Sequence, residues 1–155
     1  THMKKLILVV LTLSPIILFG QNNLQTELSQ LIDHWHKAAA EANEDAYFKL
    51  IADDGIFIGT DSSENWTKSE FQAWAKPFFD RGKAWTLKAN SRNIYVHSSK
   101  QMAWFDELLY TKSGCWIGTG VLVKEKKHWK IAHYTLSVTI PNEKMKEVSK
   151  LLLKE

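Results

Sequence analysis

The sequence predicts an α+β fold: a strongly curved antiparallel sheet wrapped on three helices to make a cone, followed by a C-terminal helix. Three observations predict it. Met102–Thr111, Trp116–Lys124 and Trp129–Ile140 are rich in β-branched and aromatic residues and are separated by turn-like Lys112-Ser113-Gly114-Cys115 and Glu125-Lys126-Lys127-His128. Ahead of them, apolar residues recur at helical spacing in three separate segments. The chain has 155 residues, 45% of them hydrophobic and 24% charged, with no repeat or low-complexity linker, so it makes one domain with a sizeable core.

The first helix is predicted over 23–42, with Leu24, Leu28, Leu31, Ile32, Trp35, Ala38, Ala39 and Ala42 on its buried stripe. Asn43 followed by Glu44-Asp45 reads as an N-cap with acidic residues in the first turn. A short second helix then carries Tyr47, Phe48, Leu50 and Ile51. Gly55–Gly59 is predicted as a short strand and Thr60–Trp66 as a polar loop. Thr67-Lys68-Ser69-Glu70 is a capping box opening a third helix, with Phe71, Trp74, Ala75, Phe78 and Phe79 on one face and an end at Gly82. Pro77 inside it should kink it or end it early. Ala84–His97 is a further strand with an irregularity at Asn90-Ser91-Arg92, and Glu143–Leu153 is the terminal helix.

At the N-terminus, Thr1-His2 reads as a cloning remnant. Met3-Lys4-Lys5 and the apolar run Leu6–Phe19 have the form of a secretory signal. The run is shorter than the ~20 residues of a membrane span, although an uncleaved anchor helix is the competing reading. The only cysteine is Cys115, so no lipid-attachment cysteine stands at the cleavage point and no internal disulfide forms. The expectation is a mature domain from Gln21, periplasmic or secreted, with no stable membrane anchor. Without Lys4 and Lys5 the 20 basic residues become 18 against 17 acidic ones, a balance that argues against nucleic acid as a partner.

Two-residue loops would place residue 112 opposite 115 and 125 opposite 128. Period-two alternation then puts Phe105, Glu107, Trp116, Gly118, Gly120, His133 and Thr135 on one face. Glu107, Gly120 and His133 fall in one row, with the glycines leaving room above the sheet. A three-residue loop at Ser113 would put Asp106 on this face in place of Glu107. Glu107 and His133 are the candidate catalytic pair, because a carboxylate in an apolar pocket and a nearby imidazole can exchange a proton near neutral pH. A buried, mutually satisfied pair that stiffens the sheet is the alternative. Trp35, Phe105, Trp116 and Thr135 are the candidate ligand-lining residues, for a small apolar or aromatic molecule.

Gly59-Thr60-Asp61-Ser62-Ser63-Glu64 lacks the glycine spacing of a phosphate loop and the ligand rhythm of a calcium loop, so Asp61 is expected to make a local turn. His34 and His36 point apart on their helix, and His97 and His128 are scattered, so no metal site is expected. No serine or cysteine stands in a Gly-x-Ser-x-Gly context. The opposite face, with Trp104, Leu108, Tyr110, Ile117, Val121, Tyr134, Leu136 and Val138, is broad and apolar. It is expected to form a homodimer, with the terminal helix as the rival cover.

Asp33-His34-Trp35-His36-Lys37-Ala38-Ala39, Tyr47-Phe48, Phe57-Ile58-Gly59-Thr60-Asp61, Glu64-x-Trp66, Ala103-Trp104-Phe105-Asp106-Glu107 and Trp129-Lys130-Ile131-Ala132-His133-Tyr134 resemble the SnoaL-like branch of the nuclear transport factor 2-like superfamily. The resemblance runs from about Leu24 to Pro141. It implies a cystatin-like cone and a pocket, with no cofactor. In enzymes of the family, which include isomerases, cyclases and dehydratases, Asp, His or Tyr in the cone acts as acid or base. Glu107 and His133 meet that description by position only. A non-catalytic ligand-binding or assembly module is the alternative that the resemblance allows.

Overall fold

The structure, a computed structural model, describes residues 16–153. The expected leader Leu6–Phe19 lies largely outside the described residues. Helix α1 (Ile16–Ala40) is continuous across Gly20 and Gln21. Among the described residues, no helix is long and apolar enough to cross a membrane.

The chain continues through α2 (Glu44–Lys49), β1 (Ile51–Ile58), β2 (Asn65–Thr67) and α3 (Lys68–Asp80), then β3 (Ala89–Val96), β4 (Met102–Thr111), β5 (Gly114–Glu125) and β6 (His128–Val138), and ends in α4 (Met145–Leu152). The local signals act as their chemistry requires. Asn43 Oδ1 accepts from the Ala46 N–H at 3.0 Å and starts α2. Thr67 and Glu70 cap α3 reciprocally, and the helix runs through Pro77 to end before Gly82, whose φ of +71° suits glycine. The six strands form one curved, unclosed sheet in the order β2-β1-β6-β5-β4-β3. The expected cone is there, and its sheet is mixed because β1 runs parallel to β6.

The core lies between the concave face of the sheet and the helices. Leu28, Ile32, Trp35 and Ala39 of α1 meet Tyr47 and Phe48 of α2, Phe71 and Phe79 of α3, and Phe105, Leu122 and Ile131 of the sheet. The expected irregularity in β3 is a register shift between Ala89 and Ser91. The strand starts later than expected, which leaves residues 84–88 outside the sheet.

Two details of register differ from the expectation. The β4–β5 turn is Lys112-Ser113, with Thr111 opposite Gly114, so Glu107 pairs with Gly118 and not with Gly120. Gly114 takes φ +116° at this turn, which explains why the tight loop sits one residue earlier and the pairing slips by two. A slip of two keeps every side chain of β5 on its expected face. In β6 the change is larger. Leu122 pairs with Ile131, but Val121 pairs with His133, so Ala132 is an extra residue that bulges the strand. Beyond the bulge the alternation inverts. Tyr134 and Leu136 turn into the cone, and His133 and Thr135 turn to the outer face. Beside it β1 is irregular as well, between Ile51 and Ile56. Gly55 makes that packing possible, since a Cβ there would come within 2.7 Å of Ile51 and 2.9 Å of the Ala52 carbonyl. Paired irregularities of this kind bend a sheet toward a cone.

Candidate functional site

The concave face holds two neighbouring features, a buried polar cluster and an aromatic cavity. The cluster centres on Glu107, which is 1% exposed. Its Oε1 accepts from Tyr134 Oη at 3.0 Å and from His36 Nε2 at 2.7 Å. Its Oε2 accepts from Arg92 Nε at 2.9 Å, with Arg92 Nη2 at 2.8 Å. Arg92 Nη1 continues outward to the Ser29 carbonyl, the Ser29 hydroxyl and Asp33 Oδ1, each at 2.9 Å. An ionised carboxylate only accepts hydrogen bonds, so the His36 proton sits on Nε2.

Burial pushes the Glu107 carboxyl up, but the His36 hydrogen bond and the charges of His36 and Arg92 outweigh it and hold the group below the ordinary carboxylate range. Tyr134 moves the other way. Burial, and then the adjacent Glu107 charge, push its phenol well above the ordinary range.

The cavity, of about 330 Å³, opens beside this cluster. Five of the chain's seven tryptophans line it: Trp35, Trp66, Trp74, Trp85 and Trp116. Phe57, Phe71, Tyr47, Tyr134 and Leu136 add to the walls, and Gly59, Thr60, Glu64, Thr86, Thr111 and Ser113 contribute polar groups. The late start of β3 is what lets Trp85, Thr86 and Leu87 form one wall. Trp74, 41% exposed, is the most open of the lining tryptophans.

The sequence-derived candidates separate accordingly. Trp35 and Trp116 line the cavity. Glu107 faces the concave side but sits behind Tyr134, outside the lining. Phe105 is core: its ring fills the space over Gly120, where a Cβ would lie 2.5 Å from it. Tyr134 Oη fills the space over Gly118 in the same way, at 2.2 Å. The glycines therefore accommodate protein side chains and do not leave a gap for a ligand. His133 and Thr135 are carried to the outer face by the bulge at Ala132, so Glu107 and His133 do not meet. The partners of Glu107 are His36, Arg92 and Tyr134. His36 had a signal in the sequence, since it stands at i+4 from Ile32 within the apolar stripe of α1. Arg92 had one too, alternating with Ile94 and Val96 along β3.

An unclosed, bulged sheet curled over helices around an interior pocket defines the nuclear transport factor 2-like class. Within it, the chain belongs to the SnoaL-like domain family, whose model matches residues 28–141. The chain is similar in fold to an NTF2-like protein of unknown function from Pseudomonas putida KT2440, at 17% identity over 79% of this chain and 91% of that one, with a TM-score of 0.64. It is similar also to the association domain of C. elegans CaMKII, at 11% identity over 77% and 98%, TM-score 0.63. A third such structure is an NTF2-like protein from Cytophaga hutchinsonii, at 14% identity over 74% and 97%, TM-score 0.61. At these identities the likeness is one of fold. No curated protein matches the chain.

Proposed function

We propose that this domain binds a small, largely apolar molecule in its cone and acts as a binding module and not as a proton-transfer enzyme built on Glu107. The aromatic cavity carries the proposal. It has the size of a small-molecule site and apolar walls with a few polar groups at defined places. The chemistry of the lining supports binding over proton transfer. Glu107, saturated by its three partners and held ionised behind Tyr134, has no lone pair directed at a ligand. Tyr47 and Tyr134 do line the cavity, but burial raises both phenols well above the ordinary range, so neither is a base near neutral pH.

The test is a fluorescence titration with N-phenyl-1-naphthylamine, a neutral apolar dye small enough for the cavity. Saturable binding of one dye per chain is expected, with Leu136→Trp abolishing it by filling the space while the fold persists. Binding that does not saturate, or that is indifferent to Leu136→Trp, overturns the proposal.

Two further parts of the reading rest on the sequence and the exposed surface. The leader-like Met3–Phe19 supports export to the periplasm or beyond. The outer face of the sheet supports pairing with a second copy.

A further inference from the structure

We propose that the cavity selects an organic cation, an amine or quaternary ammonium head on an apolar body, with Glu64 as its counter-charge. The inference rests on the binding role proposed above and names the chemistry of the ligand.

Among the described residues, the lining contains no lysine, arginine or histidine, and its only carboxylate is Glu64. An anionic ligand would find no cationic partner there. A cation would find Glu64 together with the indoles of Trp66, Trp74 and Trp85, aromatic groups whose π-electrons attract positive charge. Trp66 and Trp74 stack with centroids 4.9 Å apart, and Trp85 lies 6.3 Å from Trp74, so the three rings form one continuous aromatic group.

Glu64 is held in place by the loop between β1 and β2. The Gly59 N–H donates to the Glu64 carbonyl at 2.8 Å, and the Asp61 N–H donates to Glu64 Oε2 at 3.1 Å. The other oxygen, Oε1, accepts no hydrogen bond among the described residues. Gly59 is required by space: a Cβ there would lie 2.1 Å from Glu64 Oε2 and 2.9 Å from Glu64 Cβ. The glycine thus lets the carboxylate fold back over the end of β1. Asp61 is fixed in turn by the Ser63 hydroxyl at 2.6 Å and the Ser63 N–H at 2.8 Å, and it adds a second negative charge to the same loop. Lys112, between the lining residues Thr111 and Ser113, is exposed and does not itself line the cavity.

The experiment is calorimetric titration of the full chain with benzyltrimethylammonium, with its neutral isostere neopentylbenzene, and with benzoate. The cation is expected to bind at least about tenfold more tightly than the isostere, and benzoate not at all. Glu64→Gln is expected to weaken the cation by about tenfold and to leave neopentylbenzene within about twofold, which also shows that the variant is folded. If neopentylbenzene binds and the cation binds no tighter, or benzoate matches it, the cation proposal falls and the apolar binding role stands. If the cation's advantage survives Glu64→Gln, the assignment of Glu64 is overturned. If none of the three binds, both readings fail together.

Discussion

Tyr134 Oη donates a 3.0 Å hydrogen bond to Glu107 Oε1, joining a residue of the cavity wall to the most enclosed charge of the sheet. Tyr134→Phe removes this donor and little else. It should cost about 1.5–3 kcal/mol, the range for a hydrogen bond to a charged group. Because the ring stays, dye affinity should hold within a few fold. Urea unfolding and the dye titration, run on the same preparation, check both halves.

Glu107→Gln should be far more harmful. The change keeps the shape but leaves Arg92, whose side chain is only 5% exposed, without its buried counter-charge. Breaking such a pair from one side costs about 3–5 kcal/mol. Equilibrium unfolding should show that loss. A variant as stable as the parent would mean that the cluster contributes nothing net to the fold.

The same carboxylate sets a pH dependence. Glu107 is held below its ordinary value of 4.5 in the folded chain, so between the two values the unfolded chain binds more protons. The stabilisation is fully present above the ordinary value and is lost as pH falls through the folded value. The urea midpoint should therefore drop as pH is lowered from about 5 toward 3, and the drop should be shallower in Glu107→Gln. Asp53, Asp61 and Glu70 are held low as well, by Lys68, Ser63 and Thr67 respectively, so only the difference between the two proteins isolates Glu107.

His133→Ala tests the bulge. On the outer face the imidazole touches neither Glu107 nor the cavity, so dye binding should be unchanged and stability should move by no more than about 0.5 kcal/mol. Loss of dye binding would place His133 back in the cone.

What was legible in the sequence was what local chemistry decides. The Thr67–Glu70 capping box, the Asn43 cap, the turn at Lys126-Lys127 and the inward side chains of β4 all depend on near neighbours, and all stand where the residues put them. The bulge at Ala132 depends on β1 and β5 pressing on β6 from either side, and neither glycine nor proline marks it. Its trace is in the apolar pattern, where Trp129 and Ile131 are followed by Tyr134 and Leu136, a period of two with one residue inserted. The Glu107 cluster was half legible. The carboxylate's inward direction followed from alternation, but its partners come from α1 and β3, and His36 was weighed only against His34 as a metal ligand and not for its place at i+4 from Ile32. The cavity was less legible still, because Trp66, Trp74 and Trp85 lie on three segments that only the closed cone brings together.

The last prediction concerns the outer face. Tyr95 and Trp104 stack across β3 and β4 with centroids 5.9 Å apart, and both are 44% exposed. Met102, Tyr110 and Val138 are also exposed on the sheet. The terminal helix does not cover them, since its own Met145, Leu151 and Leu152 are exposed. Soluble monomers seldom leave an apolar patch of this kind open, and a two-fold axis lets one such face cover another. Tyr134 and Leu136, expected on this face, are spent in the cone, so the proposed interface centres on the β3–β4 side. Light scattering should return about twice the chain mass of 17.9 kDa, less any removed leader. Trp104→Glu should return a single chain, because it puts an unpaired charge into an apolar contact, and it should leave dye binding intact on the other side of the sheet. A parent protein that is monomeric at tens of micromolar would end the proposal. So would a Trp104→Glu variant that still pairs, since an interface at this face cannot tolerate the charge.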